Sequence, residues 1–244
     1  MDTLHKRVAL VTGATEGIGF EIAKQLARKG HTVILGALNE DGGEQACEAL
    51  RAEPLDVHHQ VIDVTVPEAV RQALAYIEDE FGRLDILVNN AGVMLDRECV
   101  LSELDPQLLM DSLKVNLFGA LHVTQAALPL MRTGGYGRIV MVASRLGTFA
   151  EMTDMNSPND FINAPGYRVS KAALAALTML FAKELQGTNI LCNAGCPGWV
   201  RTAMGGPHAP LGAEEGADTP VWLATLPDGG PSGAYFAERQ PVRW

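Results

Sequence analysis

Short β-branched apolar runs alternate along this chain with longer stretches of helical periodicity, and that alternation limits the fold more than any other feature. Arg7-Val8-Ala9-Leu10-Val11 is strand-like. A glycine-rich turn at 13–19 follows, after which Ile22, Ala23 and Leu26 recur at helical spacing until Gly30. The later strand-like runs are 32–35, 57–61, 84–88, 138–142, 189–192 and 233–236. Between them lie a polar segment through Leu50, a helical stretch at 70–81, and two long helical segments at 106–131 and 167–185. Strand and helix in repeated succession predict a parallel sheet covered by helices on both faces, the doubly wound α/β class. With 244 residues, 47% of them apolar and 20% charged, the chain suits one domain spanning 1–244 better than two domains or a disordered segment.

The charge balance narrows the partners. Nineteen basic residues against 29 acidic ones leave a net charge of −10, so no broad positive surface exists to hold a phosphate backbone, and a nucleic-acid partner is not expected. Met1 to Arg7 does not resemble a signal peptide, and the longest apolar stretch, Ala172 to Ala182, is too short to span a bilayer. A soluble, cytoplasmic protein without a membrane partner is the expectation. Cys47, Cys99, Cys192 and Cys196 form no CxxC pair and read as free thiols. His58 and His59 are adjacent, which on a strand points them to opposite faces, so no metal site is expected. The segment 167–185 is apolar nearly all round, with Ala172, Leu174, Ala176, Leu177, Leu180 and Phe181, and calls for cover on more than one side. That cover comes either from the interior of a monomer or from a second subunit.

Two constellations carry chemistry. Thr12-Gly13-Ala14-Thr15-Glu16-Gly17-Ile18-Gly19 lies between the first strand and the first helix, where glycines let the backbone approach a pyrophosphate resting on the helix N-terminus. Its spacing is GxxxGxG, not GxGxxG. In Tyr167-Arg168-Val169-Ser170-Lys171 the tyrosine and lysine share a helix face, so the ammonium can lie near the phenol and favour the phenolate. That lowers a pKa of about 10 towards working pH, as proton exchange with a carbonyl oxygen requires.

Taken in order, the glycine-rich turn, Asn89-Asn90-Ala91-Gly92, Asn116, Ser144, Tyr167 with Lys171, and Pro197-Gly198 resemble the short-chain dehydrogenase/reductase family across essentially the whole chain. Cys196 to Thr202, Glu214-Glu215-Gly216 and the closing Tyr235-Phe236 and Trp244 resemble its carbonyl-reductase branch. The resemblance implies a Rossmann-like fold and hydride transfer between a nicotinamide cofactor and a ketone or secondary alcohol. It makes Tyr167 the proton donor, Lys171 its electrostatic partner and a ribose ligand, Ser144 the holder of the carbonyl oxygen, and Asn116 the anchor of a water relay. It places Gly13, Thr15, Glu16, Gly17, Ile18 and Gly19 at the pyrophosphate, Asp63 and Val64 at the adenine, and Asn90, Ala91 and Gly92 along the adenosine. It sets Pro197, Gly198 and Thr202 at the carboxamide and counts Val200 among the cofactor contacts. Two other readings compete: a non-catalytic dinucleotide-binding scaffold or redox sensor, and a carbon–carbon double-bond reductase. The Asn116, Ser144, Tyr167, Lys171 set favours carbonyl chemistry over both.

Cofactor choice rests on charge beside the adenosine ribose. The positions that carry basic residues in enzymes reading a 2′-phosphate hold Glu16 and Leu38 here, which favours NAD(H) over NADP(H). The acidic residue that bonds the ribose in many NAD enzymes is also absent, its place taken by Ala37. Substrate recognition is expected from the 22 residues at 145–166, an insertion beside the reacting carbon, and from a mobile flap at 203–220. Arg145, Phe149, Phe161 and Trp199 are the candidate substrate contacts, forming a wall suited to a bulky, apolar ketone. In the carbonyl-reductase branch a larger insertion at this place obstructs a dimer contact, so monomer and homo-oligomer both stay open.

Overall fold

Strands whose apolar runs are nearly continuous must be covered on both faces, and the computed structural model shows how this is done. It describes residues 6–157, 159 and 161–244; Pro158 and Asp160 of the insertion, and Met1 to His5, lie outside the described residues. The elements run β1 (Val8–Thr12), α1 (Gly17–Arg28), β2 (Thr32–Ala37), α2 (Glu40–Leu50), β3 (Val57–Val61), α3 (Pro67–Phe81) and β4 (Ile86–Asn89). There follow α4 (Pro106–Leu113), α5 (Ala120–Gly134), β5 (Gly137–Val142), α6 (Phe149–Thr153), α7 (Pro165–Glu184), β6 (Ile190–Cys196), α8 (Ala213–Ala224), β7 (Tyr235–Ala237) and β8 (Gln240–Pro241).

All eight strands form one sheet in the order β3-β2-β1-β4-β5-β6-β7-β8, parallel through β7, with β8 added antiparallel. Successive residues of a strand point to opposite faces, so each strand feeds two cores. Leu10, Ile34, Leu87, Ile139 and Met141 pack with Leu74 and Ile77 of α3, Val123 and Met131 of α5, and Leu174 and Phe181 of α7. Ala9, Val11, Val33, Leu35, Ile86, Val88 and Val140 pack on the other face with Ile22 and Leu26 of α1, Cys47 and Leu50 of α2, and Val221 and Leu223 of α8. The Rossmann-like, doubly wound α/β class expected from the sequence is the observed fold.

Three expectations are corrected. The polar segment before Leu50 is the helix α2, started by Asn39, whose side chain accepts from the Gly42 N–H at 2.8 Å. The long helix expected at 106–131 is interrupted by a π-helical turn, Lys114–Gly119, that centres on Asn116. Such a turn widens the hydrogen-bonded ring by one residue and moves the helical phase by a single position, a shift too small to read from the apolar periodicity of one segment. Of the segment 203–220 expected as a mobile flap, residues 213–220 belong to α8, which begins at Ala213 with Glu214 and Glu215 in its first turn, where carboxylates suit the helix dipole.

Helix α7 receives its cover on one flank only within the chain. Its Tyr167, Ser170, Lys171, Leu174, Thr178 and Phe181 are buried, whereas Val169, Met179 and Leu180 are exposed. Among the described residues no helix is long and apolar enough to cross a membrane.

Candidate active site

Parallel strands end together at one edge of the sheet, and the turns after β1, β4, β5 and β6 gather there. The turn after β1 is fastened to the turn after β4. Asn90 Nδ2 donates to Thr12 O at 3.0 Å and to Gly13 O at 2.9 Å, while Thr12 Oγ1 accepts from the N–H groups of Asn90 and Ala91, both at 3.1 Å. The space between these turns admits no further atoms: a Cβ at Gly19 would overlap Gly13 O and the Asn90 amide. Helix α1 starts at this point with Glu16 in the cap position and no side chain capping its first N–H groups. Uncapped N–H groups at a helix start, lining a cavity beside close-packed glycines, fit a pyrophosphate.

The cavity measures about 1960 Å³ and runs from this turn across the strand ends to the loops that follow β5 and β6. Gly13, Thr15, Glu16, Gly17, Ile18, Gly19, Leu38, Asp63, Val64, Asn90, Ala91, Gly92, Pro197, Gly198, Val200 and Thr202 all line it, as do Ser144, Arg145, Tyr167, Lys171 and Trp199. Phe149 and Phe161 are not on its wall. Phe149 is exposed on α6, and Phe161 packs from outside against Trp199, with ring centroids 5.6 Å apart. Asn116 is buried behind the wall. Its Nδ2 donates to Val93 O at 2.9 Å and to Ser170 Oγ at 2.8 Å, and its Oδ1 accepts from the Val93 N–H at 2.8 Å. Both amide protons are therefore engaged within the protein, tying the loop after β4 to α7.

Helix α7 presents Tyr167 and Lys171 to the cavity on successive turns, with Lys171 Nζ 5.7 Å from the centre of the Tyr167 ring. The Nζ group donates to Val142 O at 2.8 Å. Gly147 lets the helix come this close, since a Cβ there would lie 2.6 Å from Lys171 Cβ. Burial dominates both titrations. It pushes the Tyr167 phenol up to about 12, against the opposing pull of the Ser144 hydroxyl, and pulls the Lys171 ammonium down to about 8. The expected lowering of the Tyr167 pKa by Lys171 is not what is found: burial dominates, and the groups that oppose it are the Ser144 hydroxyl and the Arg97 guanidinium.

Sequence reasoning missed Asp96. Helix α7 begins on Ala164, which sits in the left-handed region at φ 41° and offers no side-chain cap. The buried Asp96 carboxylate, brought from the loop after β4, takes that place: it accepts from the Gly166 N–H and, at 3.3 Å, from the Tyr167 N–H. A cap supplied from 70 residues away leaves no local sequence signal; only an acid closely following Asn90-Ala91-Gly92 hints at it.

The sequence matches the short chain dehydrogenase family over residues 7–210. It is 34% identical to carbonyl reductase (NADPH) 1 of Mus musculus, over 97% of this chain and 98% of that protein. Two solved structures are also similar at 28% identity. Salutaridine reductase from Papaver somniferum gives a TM-score of 0.82, covering 96% of this chain and 100% of its own. A variant of actinorhodin polyketide ketoreductase with NADPH gives 0.83, covering 98% and 97%. The chain belongs to the short-chain dehydrogenase/reductase family. Within that family it is a carbonyl-reductase-like, nicotinamide-dependent oxidoreductase.

Asp96→Ala should lower stability by about 1–2 kcal/mol, the usual cost of a lost helix cap, with Asp96→Asn retaining part of it. Urea denaturation followed by circular dichroism measures this, and an unchanged midpoint for the alanine variant would contradict the capping role.

Proposed function

We propose that this protein interconverts ketones and secondary alcohols, with Tyr167 exchanging the proton and a nicotinamide cofactor held along Gly13–Gly19, Asn90–Gly92 and Pro197–Thr202. One observation carries the reading: the Tyr167 phenol, the Ser144 hydroxyl and the Lys171 ammonium meet on the wall of the same cavity that runs to the uncapped start of α1. When bound, the reduced nicotinamide supplies the hydride for the carbonyl carbon. Ser144 Oγ accepts from the Leu146 N–H at 3.3 Å, so its own proton is free to hold a substrate oxygen beside Tyr167. Tyr167 then gives its proton to that oxygen as charge develops there. Lys171, fixed by Val142 O, balances the phenolate that remains.

The walls beyond Tyr167 suit a bulky, mostly apolar substrate. Met94, Leu146, Ile162, Trp199 and Met204 line this end, and the cavity exceeds the roughly 300–1,000 Å³ of ordinary small-molecule sites, leaving room for a second molecule beside a dinucleotide. Trp199 is braced by its Nε1 donating to Gly205 O at 2.8 Å.

For the cofactor, NAD(H) is favoured over NADP(H), although the mouse relative is named for NADPH. At the end of the cavity lined by Glu16, Ala37, Leu38, Asn39 and Asp63, no lysine or arginine is present among the described residues. A 2′-phosphate placed there would meet the Glu16 carboxylate and an exposed leucine. The kcat/KM with NADH should exceed that with NADPH, and Glu16→Lys combined with Leu38→Arg should raise the NADPH value about 10-fold or more. A wild-type preference for NADPH would overturn this assignment.

The raised phenol pKa sets the pH dependence. Ketone reduction needs Tyr167 protonated, which holds throughout neutral and mildly alkaline solution, and Lys171 charged, which is lost as pH rises through about 8, so its rate stays level from pH 6 to 7 and falls above that. Alcohol oxidation needs the phenolate, whose fraction rises as pH climbs towards the raised pKa, so its rate increases over the same range. Tyr167→Phe should lower kcat in both directions by at least about 100-fold while the cofactor still binds. Steady-state assays at 340 nm test both statements; near-wild-type turnover by the phenylalanine variant would refute the proton-transfer role.

A further inference from the structure

Ten charged side chains line the cavity, four of them cationic: Arg97, Arg145, Lys171 and Arg201. Three have their charge or donors committed. Lys171 is bonded to Val142 O, Arg145 faces the Glu238 carboxylate at 3.6 Å, and Arg201 donates to Ala209 O and Pro210 O. Arg97 differs. Its guanidinium donates to Met204 O on the flap, and among the described residues no carboxylate lies within salt-bridge distance of it. A guanidinium carries five N–H donors in a planar fork, so the single bond to Met204 O leaves most of its donor capacity open on the cavity wall.

The position of Arg97 is fixed on two sides. Its neighbour Asp96 is bonded to the first turn of α7, the turn that carries Tyr167, and its own side chain is bonded to Met204 O in the loop after β6. The guanidinium is near enough to the Tyr167 phenol to draw its pKa down against the larger effect of burial. Met94, Leu95, Trp199 and Met204 line the same cavity, and Met204 is the residue the guanidinium bonds. Lys171 and Arg201 also have no carboxylate within salt-bridge distance among the described residues, but they are bonded to carbonyls other than that of Met204; a guanidinium with donors left open next to the proton donor suits a molecule with an apolar body and a single anionic end.

We propose that Arg97 is a specificity-determining residue that pairs with a carboxylate on the substrate, so that the preferred ketones are keto acids with an aromatic or long apolar body. The inference rests on the carbonyl-reductase reading and adds a substrate class to it. The carboxylate is a spectator in the chemistry: the carbonyl carbon gains the hydride, the oxygen gains the Tyr167 proton, and the Arg97 pair orients the molecule between them.

The test compares keto acids with their own ethyl esters, using benzoylformate, benzoylacetate and 4-acetylbenzoate, in the wild type and in Arg97→Gln. Each pair shares one carbon skeleton and differs in charge. The wild type should favour at least one acid over its ester in kcat/KM, and the variant should reduce that acid-to-ester ratio by about 10-fold or more, mainly through KM. The acid KM of the wild type should also rise with ionic strength. An ester preference for all three pairs, or a ratio that Arg97→Gln leaves unchanged, overturns the assignment of Arg97 while leaving carbonyl reduction intact. If neither acids nor esters are reduced with either nicotinamide cofactor, the carbonyl-reductase reading fails instead.

Discussion

Seven parallel strands end at one edge of the sheet, and every chemical feature of this protein depends on that edge. The turns after β1 and β4 are held against each other by Asn90 and Thr12 at hydrogen-bond distance, with no room between them for a side chain on Gly19. Helix α7 is brought to the same edge by three separate contacts: Asp96 at its first turn, Asn116 through Ser170, and the bare backbone of Gly147 against Lys171. Each is a backbone or buried polar contact that fails if the loops shift by an ångström, so the position of Tyr167 is determined by residues scattered from 90 to 147. Preorganisation of this kind is what proton transfer to a developing charge demands.

The same packing explains why the Tyr167–Lys171 pair titrates as it does. Burial works against the charged form of both groups, raising the phenol to about 12 and lowering the ammonium to about 8. With its pKa lowered to about 8 the lysine still carries its charge through most of the neutral range, and its bond to Val142 O keeps the ammonium oriented.

Much of this was legible in the sequence, for physical reasons that differ between elements. The strands announced themselves because burial on both faces demands uninterrupted apolar runs, as at Val8–Val11 and Ile139–Val142. The glycine-rich turn and the Tyr167–Lys171 spacing are local, so they survive in one dimension. Asp96 and Arg97 do not: their roles depend on partners in α7 and the flap, 70 and 107 positions away. The π-helical turn at Asn116 was hidden because it moves the helical phase by only one residue, which the apolar periodicity on either side does not resolve. Phe149 and Phe161 were drawn to the cavity by their apolarity, but the short helix α6 turns Phe149 outward and Trp199 stands between Phe161 and the interior. The net charge of −10 argued against one kind of partner and could not locate the cations that line the cavity.

The central claim is that the edge of this sheet performs hydride transfer to a carbonyl carbon and does not merely hold a dinucleotide. Isotope transfer tests it most directly. Reduced nicotinamide dinucleotide carrying deuterium on the transferred face of C4 is incubated with the protein and a reducible aryl ketone, and the product is read by mass spectrometry and NMR. The account predicts an alcohol one mass unit heavier, with the label on the carbinol carbon and the hydroxyl proton drawn from solvent. Tight dinucleotide binding with no labelled alcohol, for any ketone offered and with deuterium on either face of C4, would contradict it.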